Sequence, residues 1–97
     1  KSAFSAALQA KICAIQILRS LSGLAPEPTV LTNTCYSYTS PLEAVSITGV
    51  YDNAGGQLTQ IPNAGGLSPL DGTPEIRRAE AHQAADWFRT VTREAFG

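Results

Sequence analysis

The first part of the chain has an almost continuous apolar pattern that predicts a long helix. Residues 2–21 contain no Gly or Pro, and Gly23, Pro26 and Pro28 supply a stop after them. At about 100° per residue the polar positions form one narrow stripe, which consists of Ser2, Ser5, Gln9, Gln16 and Ser20. Because the rest of the surface is apolar, we expect the sheet to cover one side and the second helix, a partner chain or a lipid surface to cover another.

The middle of the chain alternates between apolar and polar positions and predicts three antiparallel strands. Residues 29–39 and 45–51 are rich in Thr, Val, Ile and Tyr, and residues 57–61 follow as a shorter strand. Residues 52–56, Asp-Asn-Ala-Gly-Gly, suit a hairpin that needs positive φ. Residues 62–72 are rich in Gly, Pro, Asn and Asp and are expected to form a long surface loop.

The C-terminal part predicts an amphipathic helix with a well-defined start. Thr73 suits the N-cap, Pro74 the first helical position, and the helix is expected over residues 74–96. Its charged face and its apolar stripe lie on opposite sides. The chain is therefore predicted to be one α+β domain over residues 1–97, a two-layer sandwich of a long N-terminal helix, a three-stranded antiparallel meander and a C-terminal helix (α-β-β-β-α).

Composition narrows the class of protein and of partner. The chain has 97 residues, of which 43% are hydrophobic and 15% charged, and this favours a folded domain over a disordered one. A formal net charge of -1 offers no electrostatic footprint for a phosphate backbone, so nucleic acid is disfavoured as a partner. The chain begins at Lys1 rather than Met, which favours a processed, mature product.

The expected location of the protein depends on the two cysteines. Cys13 and Cys35 form an even pair across a helix end and a loop, which predicts one disulfide and a secreted or extracytoplasmic location. Two buried free thiols are the alternative.

Few residues suggest chemistry. His82 is the single histidine and Asp86 lies one turn further on, an arrangement that can orient an imidazole for proton transfer. Both belong to a charged helix face, which is more typical of a solvated ion-pair ladder. We therefore assign no catalytic residue, metal ligand or cofactor from the sequence, and leave open whether the chain is an enzyme.

Five residues are candidates for an interface with a partner. Arg77 and Glu80 project toward the apolar side of the second helix, and Lys11 lies within the apolar surface of the first. Tyr36 and Tyr38 add an aromatic pair in the first strand. The alternative is that the charges lie at the edge of the core and pair with each other or a neighbour, and that the tyrosines pack on a helix.

These features lead to a prediction of function and an alternative. The prediction is a small exported, non-catalytic binding protein, such as an effector, a toxin-like protein or a surface-interaction protein, that acts through a helix face and the 62–72 loop. The alternative is a subunit or processed fragment of a larger assembly or enzyme whose partner chain covers the N-terminal helix. Either way, a protein partner or self-association is expected, and a membrane surface stays open as a third interpretation.

Overall fold

A computed structural model describes residues 2–97 and contains two helices and four strands among them. In chain order the elements are α1 (Ala3–Leu21), β1 (Val30–Ser40), β2 (Glu43–Asp52), β3 (Thr59–Gln60), β4 (Gly66–Leu67) and α2 (Pro74–Phe96). The predicted α+β class, with a helix before and a helix after an antiparallel sheet, is confirmed. The structure has one strand more than the three predicted: β4 has only two residues, which is too short to produce an alternating pattern.

The sheet is organised around β2. The strand order is β1-β2-β3, as a meander requires, and β4 also pairs with β2. In the antiparallel pair of β2 and β3, Tyr51 lies opposite Gln60 and Asp52 opposite Thr59. Because β4 falls inside the segment predicted to be a loop, residues 62–72 are not a free loop throughout: their middle belongs to the sheet.

Contacts divide the chain into two compact units, which we describe separately. The first unit contains residues 2–34 of the described part together with Thr48–Gly65, and the second contains Cys35–Ile47 and Gly66–Gly97. The prediction that residues 1–97 form one domain stays a prediction.

In the first unit, polar side chains of α1 hold the segment that leaves the helix. Ser2 caps the helix, since its Oγ accepts a hydrogen bond from the Ser5 N–H at 3.3 Å. Gln16 donates from Nε2 to the Glu27 carbonyl at 3.1 Å and accepts from the Glu27 N–H at 3.2 Å. Arg19 donates to the Ala25 carbonyl and pairs with the Glu27 carboxylate at 3.0 Å. The polar stripe of α1 therefore serves contacts within the chain.

The tetrapeptide Asn-Ala-Gly-Gly occurs twice, at residues 53–56 and 63–66, and the two copies make different contacts. In the first copy, Asn53 accepts a hydrogen bond from the Thr29 N–H at 2.8 Å, and Gly56 has a φ of +82°. In the second copy, Asn63 has a φ of +60°, and Gly65 lies so close to β2 that an added Cβ would stand 2.1 Å from the Thr48 carbonyl oxygen. Backbone geometry therefore fixes both copies as turns.

In the second unit, small residues allow α2 to pack closely. The helix begins at a Thr73 N-cap, whose Oγ1 accepts from the Ile76 N–H at 3.3 Å. Ala44 of β2 is fully buried, and Ala81 and Ala84 of α2 are almost fully buried. The Tyr38 hydroxyl donates to the Ala81 carbonyl at 3.2 Å. These three alanines are the buried hydrophobic residues of the described part of the chain.

The chain exposes more surface than its mass requires. Its accessible surface is 7040 Å², whereas compact monomers of 10.2 kDa expose about 5,300 Å². Two separate globules of half this mass would together expose about 6,400 Å² by the same scaling. The excess therefore reflects unburied side chains, and these include many large hydrophobic residues.

The close approach at Gly65 gives a test of the fold. We expect Gly65→Ala to lower the free energy of unfolding by about 1–3 kcal/mol, because the new methyl group collides with backbone rather than with a movable side chain. Gly55→Ala is the matched control, since an added Cβ there meets nothing within 4 Å. Urea unfolding of both variants measures the difference, and equal stabilities would contradict the packing of this turn on β2.

Candidate functional site

A cleft in the first unit is the larger of two concave sites described here. This α1 cleft has a volume of about 470 Å³, and its lining residues come from α1, β1, the end of β2 and the segment before β3: Ser2, Ser5, Ala6, Gln9, Leu31, Thr32, Asn33, Tyr51 and Leu58. Hydroxyl and amide groups supply hydrogen-bond donors and acceptors, while Leu31, Leu58 and the Tyr51 ring supply apolar walls. The described lining is uncharged.

The opposite side of α1 is apolar and open. We define the outer face of α1 as Ala10, Ala14, Ile17, Leu18 and Leu21, which the helical period places together. All five are exposed, Leu18 by 64% and Leu21 by 80% of their surface. Over Ala3–Leu21, all of which the structure describes, no residue of the helix is buried. The chain therefore uses the polar stripe of α1 internally and leaves an apolar face uncovered.

The length of this apolar helix raises the question of a membrane span. Among the described residues, neither α1 nor α2 is both long enough and apolar enough to cross a bilayer.

A polar cluster in the second unit ties α2 to the sheet. The Glu80 carboxylate accepts hydrogen bonds from the Ser46 hydroxyl at 2.7 Å and from the Ser68 hydroxyl. Arg77 pairs with the same carboxylate at 3.4 Å and donates to the Pro69 carbonyl. The Glu80 and Arg77 side chains are only 13% and 14% exposed. This cluster fixes the segment that follows β4 against both β2 and α2.

The cluster also determines the ionisation of its carboxyl group. The hydrogen bond from Ser68 is the largest influence, and with smaller contributions from Ser46 and Arg77 it lowers the pKa of Glu80 below its ordinary value despite the opposing effect of burial. Glu80 is therefore a charged, structurally bonded group at neutral pH.

A smaller cleft lies beside α2. This α2 cleft has a volume of about 200 Å³ and is lined by Tyr38, Pro41, Leu42, Arg78, Ala81, His82 and Ala85. Arg78 and His82 are exposed at its rim. Asp86 pairs with Arg89 rather than with His82, in keeping with the ion-pair pattern that the sequence favoured for this helix face. A guanidinium always carries charge and donors, so it competes well for a carboxylate one turn away.

The structure places the five interface candidates as follows. Arg77 and Glu80 pair with each other, which is the alternative considered for them. Tyr38 is 54% exposed and bonded to α2, Tyr36 is half-buried in β1, and Lys11 is exposed on α1. Nothing observed tests the interface role of these five residues, which stays a prediction.

The two cysteines are not joined in the structure. Cys13 is exposed on α1, Cys35 is half-buried in β1, and neither described sulphur is part of a disulfide. The structure therefore does not support the predicted disulfide. The prediction used cysteine count and spacing, which do not fix the separation and direction that a disulfide requires.

Some of these groups had no signal in the sequence. Ser46 and Ser68 are separated by 22 residues and meet only because β4 pairs with β2. The α1 cleft had a partial signal, since three of its lining residues, Ser2, Ser5 and Gln9, belong to the polar stripe recognised on the helical wheel. Its apolar walls come from β1 and the segment before β3, which only the fold brings there.

Comparison with known families gives the class of the protein. Residues 27–96 match the family described as flavocytochrome c sulphide dehydrogenase, flavin-binding. The match spans most of the chain and includes all four strands and α2. The chain therefore belongs to this family.

The Glu80 cluster predicts a pH-dependent stability. We expect Glu80→Gln to lower the free energy of unfolding by about 1.5–3 kcal/mol at pH 7, because hydrogen bonds to a charged acceptor are lost. Since the pKa of Glu80 is lower in the folded chain than the ordinary value of 4.5, the wild-type advantage is complete above that value and declines as the pH falls through the folded pKa.

Urea unfolding at pH values from 7 to 3 measures this dependence. Glu43→Gln is the control, since the Glu43 side chain makes no ion pair among residues 2–97 and is also half-buried. An advantage that grows on acidification would contradict the proposed ionised state of Glu80.

Proposed function

We propose that this chain is a flavin-binding module of a sulphide-oxidising flavoenzyme and works as part of a larger assembly. The match of residues 27–96 to the flavin-binding family is the observation that carries the proposal. It supports the alternative interpretation of the sequence, a subunit or fragment of a larger enzyme, better than the predicted exported effector or toxin-like protein. The secreted or extracytoplasmic location stays a prediction.

Of the two clefts, the α1 cleft fits a flavin ring system better. Its volume of about 470 Å³ lies within the usual range for small-molecule sites, about 300–1,000 Å³. A flavin ring has a flat apolar part and a polar edge of nitrogen and oxygen atoms. Leu31, Leu58 and Tyr51 match the first, and Thr32, Asn33 and Gln9 match the second. No cofactor was predicted from the sequence, because these groups are far apart along the chain.

The cleft fits a ring better than it fits a phosphate. Flavin nucleotides carry phosphate groups, which proteins usually bind with Arg, Lys or a helix N-terminus. No Arg or Lys is among the described residues that line the cleft. The N-terminus of α1 does reach the cleft, but the Ser2 hydroxyl already caps it by accepting a hydrogen bond from the Ser5 N–H. We therefore propose that this chain supplies part of the wall around the flavin ring, and that another polypeptide segment supplies the rest of the site.

The role of the chain in the reaction follows from this placement. A bound flavin supplies the redox chemistry itself. Thr32, Asn33 and Gln9 would orient the polar edge of the ring, and Leu31, Leu58 and Tyr51 would exclude water from its apolar part.

Riboflavin tests this fit, since it has the ring but no phosphate. We expect saturable quenching of riboflavin fluorescence on titration with the chain, and at least threefold weaker binding by Leu58→Ala, which removes an apolar wall. The matched control is Leu67→Ala, another exposed leucine in or near a short strand that does not line the cleft. Absence of saturable quenching, or equal loss in both variants, would overturn the assignment of the ring to this cleft.

The outer face of α1 supports the assembly part of the proposal. Its exposed Ile17, Leu18 and Leu21 side chains form an apolar surface of the kind that is covered in an assembled protein. The family match begins after this helix, at residue 27, so α1 lies outside the matched region. We propose that another polypeptide segment of the enzyme covers it.

Dye binding tests whether this face is open in the isolated chain. We expect the double substitution Leu18→Gln with Leu21→Gln to reduce binding of a hydrophobic fluorescent dye by at least half and to leave the unfolding midpoint within 2–3 °C of wild type, because these side chains lose few contacts. Ile12→Gln is the matched control on the half-buried side of α1 and should lower the midpoint instead.

Two outcomes would contradict the open face. If the double variant unfolded at a much lower temperature, the two leucines would be packed within the chain. If dye binding did not change, the exposed apolar surface would lie elsewhere.

A further inference from the structure

The α2 cleft combines an apolar notch with two positively polarised side chains. Arg78, Ala81, His82 and Ala85 have the spacing i, i+3, i+4 and i+7, which places them on one helix face. The two alanines leave space between the longer Arg78 and His82 side chains. Pro41 and Leu42, from the turn between β1 and β2, and the Tyr38 ring form the opposite wall.

The rim groups of this cleft are available to a ligand. Neither the Arg78 side chain nor the His82 side chain makes a hydrogen bond or a salt bridge with another described residue. Arg78 acts at longer range on the exposed Glu75, one turn earlier: hydrogen bonds from the backbone and from Thr73 are the main causes that lower the pKa of Glu75, and the Arg78 charge adds to them. The lining itself contains no acidic residue. The Tyr38 hydroxyl is already committed, because it donates to the Ala81 carbonyl.

The charge and shape of the cleft select one kind of occupant. A guanidinium carries a permanent charge and binds carboxylates through paired N–H groups, and an imidazole can donate an N–H in either charge state. An aliphatic side chain fits the notch between Ala81, Ala85 and Leu42, where a free inorganic anion would leave the apolar walls unused. We propose that the α2 cleft binds one residue of a partner polypeptide, and that this residue carries both a carboxylate and an aliphatic side chain.

This interface is separate from the flavin proposal. It uses no residue of the α1 cleft or of the outer face of α1, so either proposal can fail alone. Leu42 is 72% exposed, which gives a partner access to the apolar wall.

The single histidine makes the test direct, because its ring protons give one identifiable set of NMR signals. The probe is N-acetyl-leucine, which has both the carboxylate and the aliphatic side chain. N-acetyl-leucinamide removes the charge, acetate removes the aliphatic group, and inorganic phosphate tests a simple anion site. All four are titrated into the chain at one fixed pH and ionic strength, and the shifts of the His82 signals give the affinities.

We expect N-acetyl-leucine to bind at least threefold more tightly than acetate or phosphate, and the leucinamide to give no saturable shift. Arg78→Gln should weaken N-acetyl-leucine binding at least threefold, because the guanidinium pairs with the carboxylate. Arg93→Gln, an exposed arginine at the other end of α2, is the charge control and should bind as the wild type does.

Ala85→Leu tests the notch without changing the charge. Leucine is a good helix former, so we expect α2 to persist by circular dichroism while the larger side chain abolishes binding of N-acetyl-leucine. Equal or tighter binding of acetate or phosphate would reduce the site to a simple anion site. Equal binding of the leucinamide would leave no role for Arg78, and no saturable shift with any probe would overturn the proposal altogether.

Discussion

Alanine fills the interior of this chain, and that limits how much the rest of the structure can gain from burial. Ala44, Ala81 and Ala84 are the buried hydrophobic residues of the described part, and each removes only a single methyl group from water. Many larger apolar side chains, including Leu18, Leu21 and Phe88, remain on the surface. A chain built this way gains little hydrophobic stabilisation from its interior and leaves much of its apolar area exposed.

Polar contacts hold chain segments in positions that a large hydrophobic core would otherwise fix. Gln16 and Arg19 hold the segment after α1, and Asn53 holds the Thr29 backbone. In the second unit, the Glu80 carboxylate accepts hydrogen bonds from the hydroxyl groups of Ser46 and Ser68. Gln16, Arg19 and Asn53 bond to the irregular segment between α1 and β1, and Glu80 joins β2 to the segment that follows β4. Such bonds contribute modestly to stability but specify where each segment lies.

The features that were predictable from the sequence are those encoded by neighbouring residues. Thr73 and Pro74 define the start of α2, and Gly23 follows the end of α1, so both helices were predicted to within a few residues. The alternation of apolar and polar residues predicted β2 as a strand, because this pattern also lies in neighbouring residues. In contrast, β4 has two residues, and the Ser46–Ser68–Glu80 cluster joins groups from three distant segments. No local sequence pattern indicates β4 or this cluster. None indicates the apolar walls that β1 and the segment before β3 contribute to the α1 cleft.

The outer face of α1 connects the sequence, the structure and the family match. The wheel predicted more apolar surface than one sheet can cover, and the structure leaves Ala14, Leu18 and Leu21 exposed. The most direct test places a single thiol on this face, as Ala14→Cys in a Cys13→Ser, Cys35→Ser background, and compares its rate of alkylation in the isolated chain with that in the proposed assembled flavoenzyme. If another segment covers α1, labelling is rapid in the isolated chain and at least tenfold slower in the assembly. Equal rates in both would contradict the account, because the face would then remain open where it should be covered.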